Sequence, residues 1–187
     1  MRILISGGPG SGCTSTASAI GAALDLPVFD SDLFFHKPTD PPFQQQYSVD
    51  ERRDLLKSAL TGEETWILSG SIATWGLSDF TPTHGVFLGI PNGERLTRLE
   101  QRQRAKFGSR IDPAGDMAEE HSSFLEWAAG YESRVDAGRN LVTDRSFLES
   151  RCDRFMIINA VAPFQQLIDN VIEFLHEPTN AGPGPRD

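Results

Sequence analysis

Cysteine and positive charge are both scarce in this sequence of 187 residues. The two cysteines, Cys13 and Cys152, lie far apart and are too few for a disulfide framework, which favours a reducing compartment. Lysine and arginine number 17 against 26 aspartates and glutamates, so the formal net charge is −9. This balance argues against nucleic acid or an anionic membrane surface as the main partner.

Long apolar runs are also missing. The apolar start of the chain is short and is followed at once by glycine and proline, so it predicts a strand and neither a signal peptide nor a membrane span. We therefore expect a cytoplasmic protein. The length fits one well-packed domain over residues 1–176, and the biased segment 177–187, with too little apolar content to join a core, predicts a disordered tail.

The most informative stretch is the glycine-rich segment from Gly7 to Thr16. It follows a predicted buried strand at Ile3–Ile5 and precedes a predicted helix over 17–24. Glycines let the backbone turn its N–H groups inward, and a helix start adds unpaired donors and the positive end of the helix dipole. The segment therefore predicts a phosphate-binding loop. The alternative is a tight glycine turn that only packs the first helix on the sheet.

Comparison with the phosphate-loop pattern G-x-x-x-x-G-K-[ST] exposes one departure. Gly7, Gly12 and Thr14 fit, whereas Cys13 stands at the lysine position. A thiol cannot donate the charge-assisted hydrogen bonds of an ammonium, each worth roughly 1.5–3 kcal/mol net. We expect Cys13 to be a small neutral residue and no nucleophile, with phosphate binding retained more readily than phosphoryl transfer.

Two carboxylates follow the predicted second strand. Asp30 and Asp32 are two positions apart, so they point the same way if the strand geometry continues. Carboxylates at the carboxyl end of a strand are suited to holding magnesium or accepting a proton from a substrate hydroxyl. In the alternative, one of them only caps the helical turn at 33–35.

A basic helix is predicted from about Gly93 to Phe107, after a wholly apolar strand. Its stripe of positive side chains recurs at helical spacing and comprises Arg95, Arg98, Arg102 and Lys106. It is either a solvated surface face or, with Arg104 and Arg110, a source of the positive charge missing from position 13.

A small-residue turn, Ser69-Gly70-Ser71, ends the predicted strand that begins at Trp66. Its hydroxyls and that of Thr74 could contact a substrate or satisfy their own backbone. Trp75 is a candidate stacking platform, although packing is the commoner role of tryptophan.

These features together resemble the adenylate kinase-like branch of P-loop nucleoside and nucleotide kinases. The resemblance implies a three-layer α/β P-loop NTPase fold, with a parallel sheet of about five strands, helices on both faces and a helical lid at about 93–137. It implies that ATP, or a related nucleotide, and Mg²⁺ bind the chain. The implied phosphate-binding residues are Gly8, Gly10, Ser11, Gly12, Cys13, Thr14 and Ser15. Thr14 and Asp32 would hold the metal, and the implied catalytic residues are Asp30, Asp32, Arg98, Arg102 and Arg104.

Three functional hypotheses follow. The first is an ATP-dependent phosphotransferase acting on a small molecule or nucleotide, with the basic helix replacing the lysine. The second is a nucleotide-binding module without turnover, which the missing lysine favours. The third is a sulfotransferase-like enzyme, because Pro9–Thr14 partly resembles the P-x-S-G-x-T loop of that class. The sequence leaves the acceptor, the nucleobase and the oligomeric state open.

Overall fold

A five-stranded, all-parallel sheet forms the centre of the protein, in a computed structural model that describes residues 1–136 and 138–177. The strands are β1 (Arg2–Gly7), β2 (Val28–Asp30), β3 (Trp66–Ser69), β4 (His84–Gly89) and β5 (Arg154–Asn159). Their order across the sheet is β2-β3-β1-β4-β5. The predicted α/β class with a parallel sheet of about five strands is confirmed.

Helices and turns connect the strands. The helices are α1 (Cys13–Leu24), α2 (Asp32–Phe35), α3 (Val49–Leu60), α4 (Asn92–Phe107), α5 (Ala118–Ala129), α6 (Leu141–Arg151) and α7 (Phe164–His176), with a 3-10 helix at Gly108–Ile111. Within the described ranges, no helix is long and apolar enough to cross a membrane.

Two apolar layers cover the sheet because the side chains of its central strands alternate between its faces. On one face Ile3 and Ile5 pack with α1 and α7, and on the other Leu4 and Leu68 pack with α3 and α6. Trp75 is only 1% exposed and belongs to this second layer, so the structure uses it for packing.

Local sequence signals explain several helix ends. The Ser48 hydroxyl accepts a hydrogen bond from Glu51 N, and the Glu51 carboxylate accepts one from Ser48 N, so the two residues form a capping box that starts α3. Helix α5 ends at Ala129, directly before Gly130. Helix α6 begins after Asn140, whose side chain accepts a hydrogen bond from Thr143 N and caps the helix start.

The strand register brings the carboxyl ends of three strands to one edge of the sheet. Asp30 of β2 pairs with Ser69 of β3, and Ser69 in turn pairs with Ile5 of β1, just before the glycine-rich loop. Ligands of open parallel sheets bind at this edge. At the other end of the chain, Arg154 donates to the carbonyl and carboxylate of Glu177, and the rest of the predicted tail, 178–187, lies outside the described residues.

Candidate functional site

The loop between β1 and α1 leaves several backbone N–H groups for a hydrogen-bond acceptor outside the protein. Gly10 and Gly12 adopt φ angles of 90° and 95°, which side-chain-bearing residues rarely adopt. A Cβ at Gly10 would lie 2.6 Å from the Arg95 carbonyl oxygen. Gly12 is the N-cap of α1 and offers no side-chain acceptor. Within the described part of the chain, the N–H groups of Gly10, Gly12 and Cys13 have no acceptor, so they can bind an anion.

The side chain of Arg95 holds the glycine-rich loop in place through hydrogen bonds. Its side chain is buried and donates to the carbonyl of Pro9 at 2.9 Å and to that of Ala128 at 2.7 Å. Its charge is paired with Glu132 at 2.8 Å. The guanidinium therefore links the loop to the chain around the end of α5, and it belongs to no solvated basic face.

Cys13 is a neutral thiol at the first position of α1. Burial raises the pKa of its thiol to about 11, even though the Ser11 hydroxyl, 3.2 Å from Sγ, and the charge of Arg139 lower it. A neutral thiol neither repels a phosphate nor attacks it.

The two aspartates at the end of β2 differ in their contacts. The Thr14 hydroxyl donates to Asp30 at 2.8 Å, and a second Asp30 oxygen accepts from the backbone N–H of Asp32 at 3.0 Å. Partial loss of hydration, together with the nearby Asp30 carboxylate, raises the pKa of Asp32. The predicted pair thus separates into Asp30, which accepts from the loop hydroxyl, and Asp32, which is exposed at the start of α2.

Two of the predicted arginines line a cavity of about 390 Å³ beside the loop. Arg98 donates to Glu94 at 3.1 Å and to the Ala160 carbonyl at 3.2 Å. Arg102 is exposed and has no hydrogen-bonding or ion-pair partner in the ranges 1–136 and 138–177. The rest of the lining comes from the loop, from α1 and from the connection after β5: Gly10, Ser11, Gly12, Ser15, Thr16, Ala160, Ala162, Phe164 and Leu167.

The other basic residues of this region have partners elsewhere. Arg104 donates to Asp112 and to the Gly108 carbonyl, and Arg110 is paired with Asp116 at 2.8 Å. The four-residue stripe is therefore split: Arg95 is buried, Arg98 and Arg102 face the cavity, and the Lys106 ammonium lies 5.2 Å from the Phe107 ring centre.

The segment after α2 reaches the helical region that follows β4. Arg110 is 3.3 Å from Asp40, and Gln44 donates to Glu120 at 3.0 Å. The rings of Phe43 and Phe107 meet edge to face at 6.3 Å. These contacts join two segments that are far apart in the sequence.

A polar cluster that sequence reasoning missed lies behind the loop. Asp144 of α6 is buried and accepts hydrogen bonds from Ser71 at 2.5 Å, from Tyr131 at 2.8 Å and from Arg139 at 3.3 Å. Arg139 also donates to the Gly7 carbonyl at 3.0 Å. The Ser71 hydroxyl thus binds a side chain, and a carboxylate stands beside the end of β3 although the sequence places none there. The polar residues of the segment 139–144 were the only available signal.

Phe164 was also missed. It is 51% exposed at the first position of α7 and lines the same cavity as Arg98 and Arg102. A phenylalanine directly after a proline at a predicted helix start was the sequence signal available for it.

Known proteins share this chain's architecture. Deoxyadenosine kinase from M. mycoides, solved with bound dATP, superposes with a TM-score of 0.57 at 12% identity, covering 95% of this chain and 100% of that one. A gluconokinase from Sinorhizobium meliloti 1021 superposes with a TM-score of 0.52 at 16% identity, covering 94% of this chain and 97% of that one. The three-layer α/β P-loop fold is therefore confirmed.

One comparison rests on sequence. The uncharacterized protein YqaC from Bacillus subtilis (strain 168) is 29% identical over 176 residues, which cover 93% of this chain and 97% of YqaC. No family model matches the chain. The likeness to these proteins of known activity is therefore one of fold alone.

Proposed function

We propose that this protein is a kinase that binds ATP, or a related nucleotide, at the Gly7–Thr16 loop and transfers its terminal phosphoryl group to a small acceptor. The observation that carries the proposal is the uncapped start of α1 next to the cavity lined by Arg98 and Arg102. Unpaired N–H groups suit phosphates, and the adjoining cavity has room for the rest of a nucleotide.

The cavity suits a nucleoside on two grounds. Phe164 presents an exposed ring to the cavity, and aromatic side chains stack on nucleobases. The bound dATP of the structurally similar deoxyadenosine kinase supports a nucleotide here as well. Ser15, which lines the same cavity close to the loop, is proposed to contact the phosphates nearest the sugar.

The residues present fit Mg²⁺. A hydroxyl and a carboxylate, those of Thr14 and Asp30, are already within 2.8 Å of each other, and both are hard oxygen ligands. The described residues contain no group of three or more histidine, cysteine or acidic side chains that could hold a metal. Bound there, Mg²⁺ would neutralise phosphate charge. We propose Thr14 and Asp30 as its protein contacts, with Asp32 contributing at most through water.

Asp32 is proposed to act on the acceptor. Its raised pKa makes it a stronger base than an ordinary aspartate. The acceptor hydroxyl would pass its proton to the Asp32 carboxylate as its oxygen bonds to the γ-phosphorus, and the nucleoside diphosphate would leave with the electrons of the broken P–O bond. Arg98 and Arg102 would stabilise charge on the transferring group. For Arg104, which is held by Asp112, the same role stays a prediction.

The non-catalytic alternative is favoured by one observation, the neutral thiol at position 13. A module that only binds nucleotide would retain the loop donors and the cavity but would not transfer phosphate. Binding and turnover must therefore be measured separately.

The first test is calorimetric titration with ATP, with and without Mg²⁺, on the wild type and on Arg102→Ala. We expect Mg²⁺-dependent binding by the wild type and affinity reduced about tenfold or more in the variant, because a charge-assisted contact is lost. Arg151→Ala is the matched control. Its guanidinium donates to the Ser78 carbonyl, at the end of α6 that leads into the amino end of β5.

Turnover is tested by ATP consumption in the presence of pooled candidate hydroxyl compounds, with Asp32→Asn as the inactive reference. Binding without any consumption, at every acceptor tried, would support the non-catalytic module. Absence of ATP binding by the wild type would overturn both the kinase proposal and the non-catalytic alternative.

A further inference from the structure

Arg139 lies against the base of the phosphate loop. Its Nη2 donates to the carbonyl of Gly7, the residue where β1 ends and the loop begins, at 3.0 Å. Its side chain is three-quarters buried, and it comes from the connection between α5 and α6. A long cationic side chain has therefore been folded inward to the loop, away from bulk water.

An ion pair with a buried, hydrogen-bonded carboxylate holds the Arg139 guanidinium in place. Nε donates to Asp144, whose buried carboxylate also accepts from Ser71 and Tyr131. The other two donors come from the residues after β3 and from those after α5, so two further parts of the chain hold the carboxylate that pairs with Arg139. Because each oxygen of Asp144 has a partner, the ion pair is tolerated in the interior.

The same guanidinium keeps donors for a ligand. Nη1 has no acceptor within residues 1–136 and 138–177. Desolvation lowers the pKa of Arg139, but Asp144, together with Tyr131, Cys13 and Asp32, raises it by more, so the pKa of Arg139 is raised overall. The guanidinium thus stays charged, and it lies close enough to Asp32 for the charge of that carboxylate to act on it.

We propose that Arg139 replaces the lysine that the loop lacks and binds the terminal phosphates of a nucleoside triphosphate. This inference rests on the proposed nucleotide-binding function and assigns the missing charge to a residue outside the loop and outside the basic helix. A guanidinium can bind phosphate oxygens through two parallel hydrogen bonds, which an ammonium cannot do.

The proposal also explains the neutral residue at position 13. A lysine there would place a second positive charge next to Arg139, and like charges at short distance destabilise each other. A lysine at position 13 and an arginine at position 139 would therefore supply the same positive charge. With Arg139 present, a small neutral side chain at position 13 is the favourable choice.

The test is Mg²⁺-dependent binding of ATP and of AMP, measured by calorimetry on the wild type, Arg139→Gln and the control Arg145→Gln. Arg145 adjoins Asp144 in the sequence and is exposed, so the control removes the same charge. We expect Arg139→Gln to weaken ATP binding at least about tenfold and to leave AMP binding within about twofold, because AMP has no terminal phosphates. The control should bind both nucleotides as the wild type does.

Charge relocation separates a ligand contact from a structural role. Cys13→Lys should restore ATP affinity in the Arg139→Gln background and should fail to improve it in the wild type. If Arg139→Gln unfolds because Asp144 loses its cation, Arg139→Gln with Asp144→Asn removes both buried charges and takes its place.

The outcomes are distinguishable. Wild-type protein that binds no ATP would refute the proposed function itself. Wild-type protein that binds ATP, with the arginine-free variants binding it equally well, would overturn only the role of Arg139. Equal losses for ATP and AMP without rescue by lysine would likewise overturn it in favour of a structural role.

Discussion

Replacing Arg95 by methionine should destabilise the protein strongly while leaving the apolar part of the side chain in place. Arg95 is fully buried, and its guanidinium has acceptors in Pro9, Asn92, Ala128 and Glu132. Removing one partner of a buried ion pair costs about 3–5 kcal/mol. The Glu132 side chain is 32% exposed and can regain water, so the lower limit applies, about 3 kcal/mol.

For a chain of this size each kcal/mol shifts the melting temperature by about 2–4 °C, so the expected loss is about 6–12 °C. Thermal and urea unfolding followed by circular dichroism measure it. Arg98→Met is the matched control three residues along α4, because its pair with Glu94 is partly exposed and such pairs contribute about 0–1 kcal/mol.

A second variant tests the cause. Adding Glu132→Gln to Arg95→Met removes the uncompensated carboxylate and should recover about 1 kcal/mol. A loss in Arg95→Met no larger than in Arg98→Met would refute the reasoning, since the buried guanidinium would then contribute no net stability.

Three further predictions concern stability and reactivity. Ser48→Ala should cost about 1 kcal/mol through loss of the capping box, and urea midpoints should fall accordingly; an unchanged midpoint would contradict the cap's role. Burial lowers the pKa of His36 and His84 below the ordinary value of 6.5. As the pH falls through that value, the unfolded chain binds more protons than the folded chain, so the free energy of unfolding should drop between about pH 7 and 5. His36→Gln with His84→Gln should reduce that drop in urea titrations at the two pH values; an identical drop would exclude these histidines. Burial raises the pKa of Cys13 to about 11 and of Cys152 to about 12. Iodoacetamide at pH 8 should therefore label the native protein far more slowly than the urea-unfolded chain. Fast labelling of the native protein would contradict both raised pKa values.

The sequence alone determined the fold class and the place of the candidate site. Short apolar runs followed by small residues encode strands, and parallel strands bring their carboxyl ends to one edge, so the neighbourhood of the glycine-rich loop and the Asp30–Asp32 segment followed from local patterns. The capping box of α3 is equally local, since its two partners are three residues apart.

Only the tertiary structure decided which charged groups reach the loop. Helical spacing placed Arg95, Arg98, Arg102 and Lys106 on one stripe, but the position of α5 buries the first and leaves the second and third at the cavity. Arg139 and Asp144 reach the loop and the end of β3 through hydrogen bonds that span 132 and 73 residues, respectively. No periodicity within one segment encodes such contacts, because they arise from the packing of α6 against the sheet, where buried polar groups must find partners wherever the fold provides them.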